Sequence, residues 1–304
     1  MKLERILTGF IPEPRGRDGL ALAVLIARQS GAALTVANVH PPAWETPGPG
    51  KVDAEWRTYL REQAQHTLDV AGELLAGQED VSAEFVMHPQ RGSGRGLSEL
   101  ARATGADLVV VGSAPRGARG RISLSSTADQ LLHASPVPVA LAPKGYAASA
   151  PAAFDRITVA YRRGPGCDHA VRLAAKAAAI FGVPLRLVTL VLRGGGRPGR
   201  VEDAMLERLR EQVLADLRAV ARGPRRSTHV DLEVLSGRDV ASALASTSWF
   251  PGEMVMCASS EEGPLRRVFL GDTSLKIIRA APCPVIILPR VPAMERTRAV
   301  HLKR

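Results

Sequence analysis

At 304 residues, 45% of them hydrophobic and with a net charge of +10, the chain is long enough for two ordinary domains and too apolar for a disordered one. No apolar run approaches the roughly 18 residues a membrane-spanning helix needs. The start MKLERILTGFIPEPR is acidic at Glu4 and too short in apolar residues for a secretory leader, and Cys167, Cys257 and Cys283 show neither disulfide nor zinc spacing, so a cytoplasmic protein is predicted.

Residues 6–11 read as a buried strand, closed by the turn Pro12-Glu13-Pro14-Arg15-Gly16. Asp18 is placed to cap the next helix, where Leu20, Val24 and Ala27 recur at helical spacing, and Gly31 stops it. Residues 33–39 are the second strand, and His40 opens a proline-rich loop to Lys51. His40 is either a contact for a base or a solvated loop histidine. The longest helix of this half is expected over 54–76, with Trp56, Leu60, Ala64, Leu68 and Leu75 on one side, followed by a third strand over 81–87. Gln90-Arg-Gly-Ser-Gly-Arg-Gly reads as a flexible turn before a helix over 97–103. Its Gly-x-Gly-x-Gly spacing is not the dinucleotide fingerprint, and ligand contact and a plain tight turn both stay open.

The stretch from Asp107 to Pro143 organises this half. Leu108 to Val111 is an apolar strand that breaks at Gly112 into a basic loop carrying Arg116, Arg119 and Arg121, with no acid between Ser113 and Ser126. Ser125, Ser126 or Thr127 can cap the helix that follows, Leu131 and Leu132 give it an apolar face, and Pro136-Val-Pro-Val ends it and starts another strand. In a parallel sheet such a loop lies beyond the strand's carboxyl end, where ligands settle.

After an alanine-rich linker, strands are predicted over 156–161, 184–190, 229–235, 253–257 and 284–288, and helices over 167–181, 201–222, 240–247 and 273–280. The long helix carries Leu206, Leu209, Val213 and Leu217 on one side, which should cover the sheet. A basic, glycine-rich loop, 193–200, replaces the proline-rich loop of the first half, and the tail after Pro289 holds five basic residues against Glu295 alone. That tail is either a solubilising end or a grip on a polyanion.

The halves repeat. Pro282-Cys-Pro-Val falls 146 residues after Pro136-Val-Pro-Val, and Arg156-Ile-Thr-Val falls 151 after Arg5-Ile-Leu-Thr. A period this long means duplicated domains, not a solenoid.

Two copies of this unit, each closing on Pro-x-Pro-Val and an apolar strand, resemble a tandem universal stress protein over nearly the whole chain. The resemblance implies an α/β fold of two domains, each an open five-stranded, mainly parallel sheet with helices on both faces, packed as a pseudo-dimer through the closing strands at 137–141 and 285–288. Domain limits follow as 1–145 and 154–290, with a linker at 146–153 and a basic tail at 291–304. Nucleotide-binding members carry Gly-x2-Gly-x9-Gly-Ser/Thr in the basic loop and an Asp at the end of the first strand. Here the motif falls on Gly112, Pro115, Ser125 and Ser126, and the Asp becomes Ile11. Pro115 has no amide to donate. The resemblance places an adenine pocket floor at Val39, so the candidate nucleotide or phosphate site of the first domain is Val39, Gly112, Ser113, Arg116, Arg119, Ser125, Ser126 and Thr127. Arg116 and Arg119 either bind an anion through their forked donors or form a solvated surface. In the second half the motif falls on Ala258, Glu261, Gly271 and Asp272, with Arg162 at the strand end. Glu261 and Glu262 would repel a phosphate there.

No nucleophile-and-base arrangement, metal motif or Walker lysine is present, so no catalytic residue and no metal is assigned. The expected function is a non-catalytic stress-response protein with at most a degenerate nucleotide or phosphate loop in the first domain. ATP or another nucleotide is the candidate ligand, and no cofactor is required. The expected partners are the two domains themselves, a second copy of the chain, and an anionic ligand. The alternatives are a polyanion-binding accessory protein, although no specific nucleic-acid motif is present, and a weak ATP-binding or ATPase switch.

Overall fold

The computed structural model describes residues 3–43, 52–193, 200–259 and 272–289. The expectations made for 44–51, for most of the basic loop at 193–200, for Glu261, Glu262 and Gly271, and for the basic tail lie outside those residues.

The first half runs β1 (Arg5–Gly9), α1 (Pro14–Ser30), β2 (Ala33–His40), α2 (Val52–Leu75), β3 (Ala83–Pro89), α3 (Ser93–Thr104), β4 (Leu108–Gly112), α4 (Ser126–Ala134), β5 (Val139–Ala142). The second runs β6 (Arg156–Ala160), α5 (Pro165–Phe181), β7 (Leu185–Leu192), α6 (Arg200–Ala221), β8 (Val230–Gly237), α7 (Val240–Leu244), β9 (Glu253–Ala258), α8 (Asp272–Ala280), β10 (Val285–Leu288). Each half is a parallel five-stranded sheet, and the two join into one ten-stranded sheet in the order β3-β2-β1-β4-β5-β10-β9-β6-β7-β8. The join is the one antiparallel pairing among the described strands: Val285 lies opposite Leu141, Ile286 opposite Ala140 and Ile287 opposite Val139.

Alternation along the joining strands assigns the two faces. Ala140, Ala142, Ile286 and Leu288 belong to one core with side chains of α1, α2, α5 and α6. Val139, Leu141, Val285 and Ile287 belong to the other, with α3, α4, α7 and α8. Each core therefore runs across both domains. An antiparallel join also turns the strand ends of the two domains to opposite rims, so the carboxyl ends of the first domain's strands border the amino ends of the second's.

Three local expectations are corrected. Asp18 does not cap its own helix, because α1 begins four residues earlier with Pro14 in its first turn, where a fixed φ favours the helix. Asp18 is buried, and its carboxylate accepts hydrogen bonds from the amides of Gly145 at 2.8 Å and Ala147 at 2.9 Å, tying the interdomain linker to α1. Gly94 and Gly96 are not a flexible turn but part of the first turn of α3. A Cβ on Gly94 would lie 2.5 Å from Gln130 Cβ, and one on Gly96 would lie 2.7 Å from Val39 Cγ1. Close packing, not flexibility, therefore demands glycine there. Finally, α7 spans five residues rather than eight, with a capping box between Asp239 and Ser242. The chain after it is held by side chains from the sheet.

Candidate ligand site at the strand ends of the first domain

The carboxyl ends of β1, β2 and β4 and the starts of α1, α3 and α4 enclose a cavity of about 100 Å³. Phe10, Ile11, Val39, Leu97 and Val111 supply its apolar wall, and Ser93, Ser125, Thr127 and Arg15 its polar one. Ser125 is the cap of α4: its Oγ accepts the Ala128 amide at 3.1 Å, which leaves the hydroxyl proton available to a ligand.

The cavity is small because α1 begins on top of it. A Cβ on Gly112 would lie 1.9 Å from the Arg15 carbonyl oxygen, and one on Gly16 would lie 2.0 Å from the Ile11 carbonyl oxygen. Glycine at 112 thus serves backbone-to-backbone contact between β4 and α1. Arg15 Nε lies 3.0 Å from a Glu13 carboxylate oxygen, yet its N–H direction misses that oxygen, so this buried donor has no hydrogen-bond acceptor among the described residues.

The basic loop between β4 and α4 is closed on itself. The Ala114 amide donates to Ser123 O at 2.8 Å, the Ser123 amide to Ser113 Oγ at 2.8 Å, and the Gly120 amide to Lys144 O at 2.9 Å. Lys144 Nζ donates in turn to the carbonyls of Pro115 at 2.8 Å and Gly117 at 3.1 Å. The Ala114 and Ser123 amides face the loop's own oxygens, the Gly120 amide faces the backbone of Lys144, and the Lys144 side chain occupies two of the loop's carbonyls.

Of the residues singled out from sequence, Val39, Gly112, Ser125 and Thr127 meet at the cavity. Ser113 is buried with its hydroxyl bonded inside the loop. Arg116, Arg119 and Ser126 are exposed and lie outside the lining, and Arg119 packs its aliphatic stem beside Gly145. His40 ends β2 with its ring against its own loop, Nδ1 2.8 Å from Pro41 O. Arg15, Ser93 and Lys144 were not recognised from sequence. Lys144 had one available signal, its place directly after the closing strand, on the same rim as the basic loop that follows the parallel strand β4.

In the second domain Ala258 ends β9 and Arg162 is exposed. Ser259 is buried beside this strand end, its amide donating to Leu288 O at 3.1 Å. Tyr161 donates to Asp168 at 2.9 Å, and burial first, then this bond, push its phenol above the ordinary range.

A buried ionic network at the opposite strand ends of this domain also escaped the sequence reading. Arg186 on β7 is 2% exposed and Glu253 on β9 fully buried. Arg186 Nη2 donates to Glu253 at 2.6 Å, its Nε to Thr158 at 3.0 Å, and its Nη1 to Glu233 and Thr247, each at 3.0 Å. Arg156 completes it with a 2.8 Å bond to the other Glu253 oxygen. One arginine in the apolar strand Leu185–Leu192 and one glutamate at the head of another were the available signal.

Comparison with known proteins gives a consistent relationship. The model of the universal stress protein family matches residues 3–143 and again 153–289. A universal stress protein of Mycobacterium tuberculosis is 34% identical over 290 residues, covering 93% of this chain and 99% of the relative. Among solved structures, a universal stress protein from Archaeoglobus fulgidus superposes with a TM-score of 0.63 at 18% identity, over 96% of this chain and 100% of that one. One described as a putative universal stress protein from Pseudomonas aeruginosa gives 0.58 at 15%, over 94% of each. At these identities the structures speak for the fold alone.

Proposed function

Because this chain belongs to the universal stress protein family in both of its halves, we propose that it is a non-catalytic stress-response protein whose first domain accepts a small anion in place of a nucleotide. The second domain is assigned no nucleotide site. The observation that carries this reading is the cavity of about 100 Å³ under the start of α1, against the roughly 300–1,000 Å³ of ordinary ligand pockets. An inorganic phosphate fits such a volume, and the Arg15 guanidinium, whose Nε makes no aligned hydrogen bond, and the hydroxyls of Ser125 and Thr127 suit its oxygens, with the Glu13 carboxylate 3.0 Å from Nε as the competitor to be displaced. The loop, with the amides of Ala114, Gly120, Arg121 and Ser123 already bonded within the protein and Lys144 on two of its carbonyls, argues against a polyphosphate lying along it.

The non-catalytic reading rests on the cavity lining, where the hydroxyls have no imidazole, carboxylate or thiol beside them among the described residues. The cytoplasmic assignment is part of the same proposal; its support is three free cysteines, two of them buried.

Calorimetry tests the site. Titration with ATP and Mg²⁺ up to millimolar concentration should give no heat, whereas inorganic phosphate should bind weakly, lose binding in Arg15→Ala and keep it in Arg116→Ala/Arg119→Ala. Micromolar ATP binding would overturn the reading.

A further inference from the structure

On the α3, α4, α7, α8 face of the sheet, where the two domains meet, lies a second hollow of about 620 Å³, which no part of the nucleotide-type site enters. Its floor is apolar, made by Val240 and Leu244 of α7 with Trp249 and Ala280. Its rim is cationic and drawn from both domains: Arg121 comes from the basic loop of the first, Lys276 and Arg279 from α8 of the second. Neither Arg121 nor Arg279 has an acceptor for its guanidinium among the described residues. The single carboxylate in the lining, Asp239, is engaged at the start of α7, where it accepts the Ser242 amide at 2.7 Å.

The wall is built, not incidental. Arg186, buried in the sheet below, holds Thr247 by a hydrogen bond and lies 4.6 Å from the centre of the Trp249 ring. The indole N–H of Trp249 donates to Leu244 O at 2.8 Å, which ties the ring to the end of α7. A charge taken out of water in mid-sheet thereby fixes an aromatic wall, a use for the network that its modest net contribution to stability does not supply.

From these observations we propose that the hollow is a binding site for a small amphipathic anion, an organic acid whose carboxylate or sulfonate meets Arg121 and Arg279 and whose ring or chain lies on Val240, Leu244 and Trp249. The volume suits a compact ligand of that kind. Because Arg121 belongs to one domain and Arg279 to the other, an occupant ties the two together. This site is independent of the anion site proposed for the first domain.

Naphthalene-2-acetate and its neutral amide are suitable probes on the full chain, by calorimetry and by quenching of Trp249 in a Trp44→Phe/Trp56→Phe variant, where it is the remaining tryptophan of three. The acid should bind at submillimolar concentration and quench Trp249, with the amide at least tenfold weaker. Arg121→Ala and Arg279→Ala together should weaken the acid tenfold or more with an unchanged melting temperature, whereas Arg116→Ala should leave it unaffected. Inorganic phosphate at equal concentration should not compete, which separates this site from the first. Absence of acid binding at millimolar concentration, equal affinity for acid and amide, or full binding by the double variant overturns the proposal.

Discussion

Arg186 and Glu253 set the behaviour of the second domain at the level of single residues. Each is worth little to stability as part of a complete pair, because desolvation offsets attraction, but removal of one strands the other. Glu253→Gln should therefore cost about 3–5 kcal/mol in urea unfolding, while Arg186→Met combined with Glu253→Leu should recover much of that loss. The buried thiols respond to burial first, and then to neighbouring charge: Cys167 for Cys257, and Glu253 against Arg186 for Cys283. Cys257 is pushed up to about 12 from an ordinary 9, so the folded chain keeps a proton that the unfolded chain releases. Its contribution is fully present below pH 9 and is lost as pH rises toward 12, at about 1.4 kcal/mol per pH unit. Melting curves between pH 7.5 and 10.5 should accordingly be flatter for Cys257→Ala than for the parent.

Among the elements, the contact of α1 with β4 and that of α3 with α4 depend on missing side chains. Alanine at Gly112 would place its methyl 1.9 Å from a backbone oxygen, and alanine at Gly94 would place it 2.6 Å from another, that of Thr127. Neither backbone can yield without moving a helix, so each substitution should destabilise by about 1–3 kcal/mol or more. Gly72 is the control: it lies inside α2, and an added carbon there would meet only the Phe85 ring at 3.8 Å, an ordinary contact. Alanine there should stabilise by about 0.4–1 kcal/mol through the unfolded chain, and thermal melts of the three variants separate the effects. Lys144 acts on its loop in the same local way. Lys144→Met frees the carbonyls of Pro115 and Gly117, and limited trypsin digestion should cut faster after Arg116 and Arg119.

At the scale of the molecule, two cores cross the domain boundary, one on each face of a continuous sheet. Such a structure should unfold as one unit, because neither domain can open without exposing the apolar edge at β5 and β10. Ile286 sits in that join, opposite Ala140 and 1% exposed. Ile286→Asp should break the coupling, and calorimetry should then resolve two transitions where the parent chain shows one.

The sequence alone determined the tandem repeat, the α/β alternation and the placement of most strands and helices. Those signals are local: apolar runs, helical spacing, the glycine that stops α1 and the serine that caps α4 act within a few residues of themselves. The same is true of Gly112 and Ser125, which motif spacing places correctly at the end of β4 and the start of α4. What only the tertiary structure decided is how the loops are occupied. Asp18 reaches the linker 129 residues away, Lys144 reaches back 29 residues into the basic loop, and Arg186 pairs with Glu253 across 67. Such contacts depend on strand order within each domain and on which rim each loop faces, and the antiparallel join of β5 to β10 fixes how one domain's rims meet the other's. The same join carries Arg121 toward the second domain, a placement that no spacing within its own loop encodes.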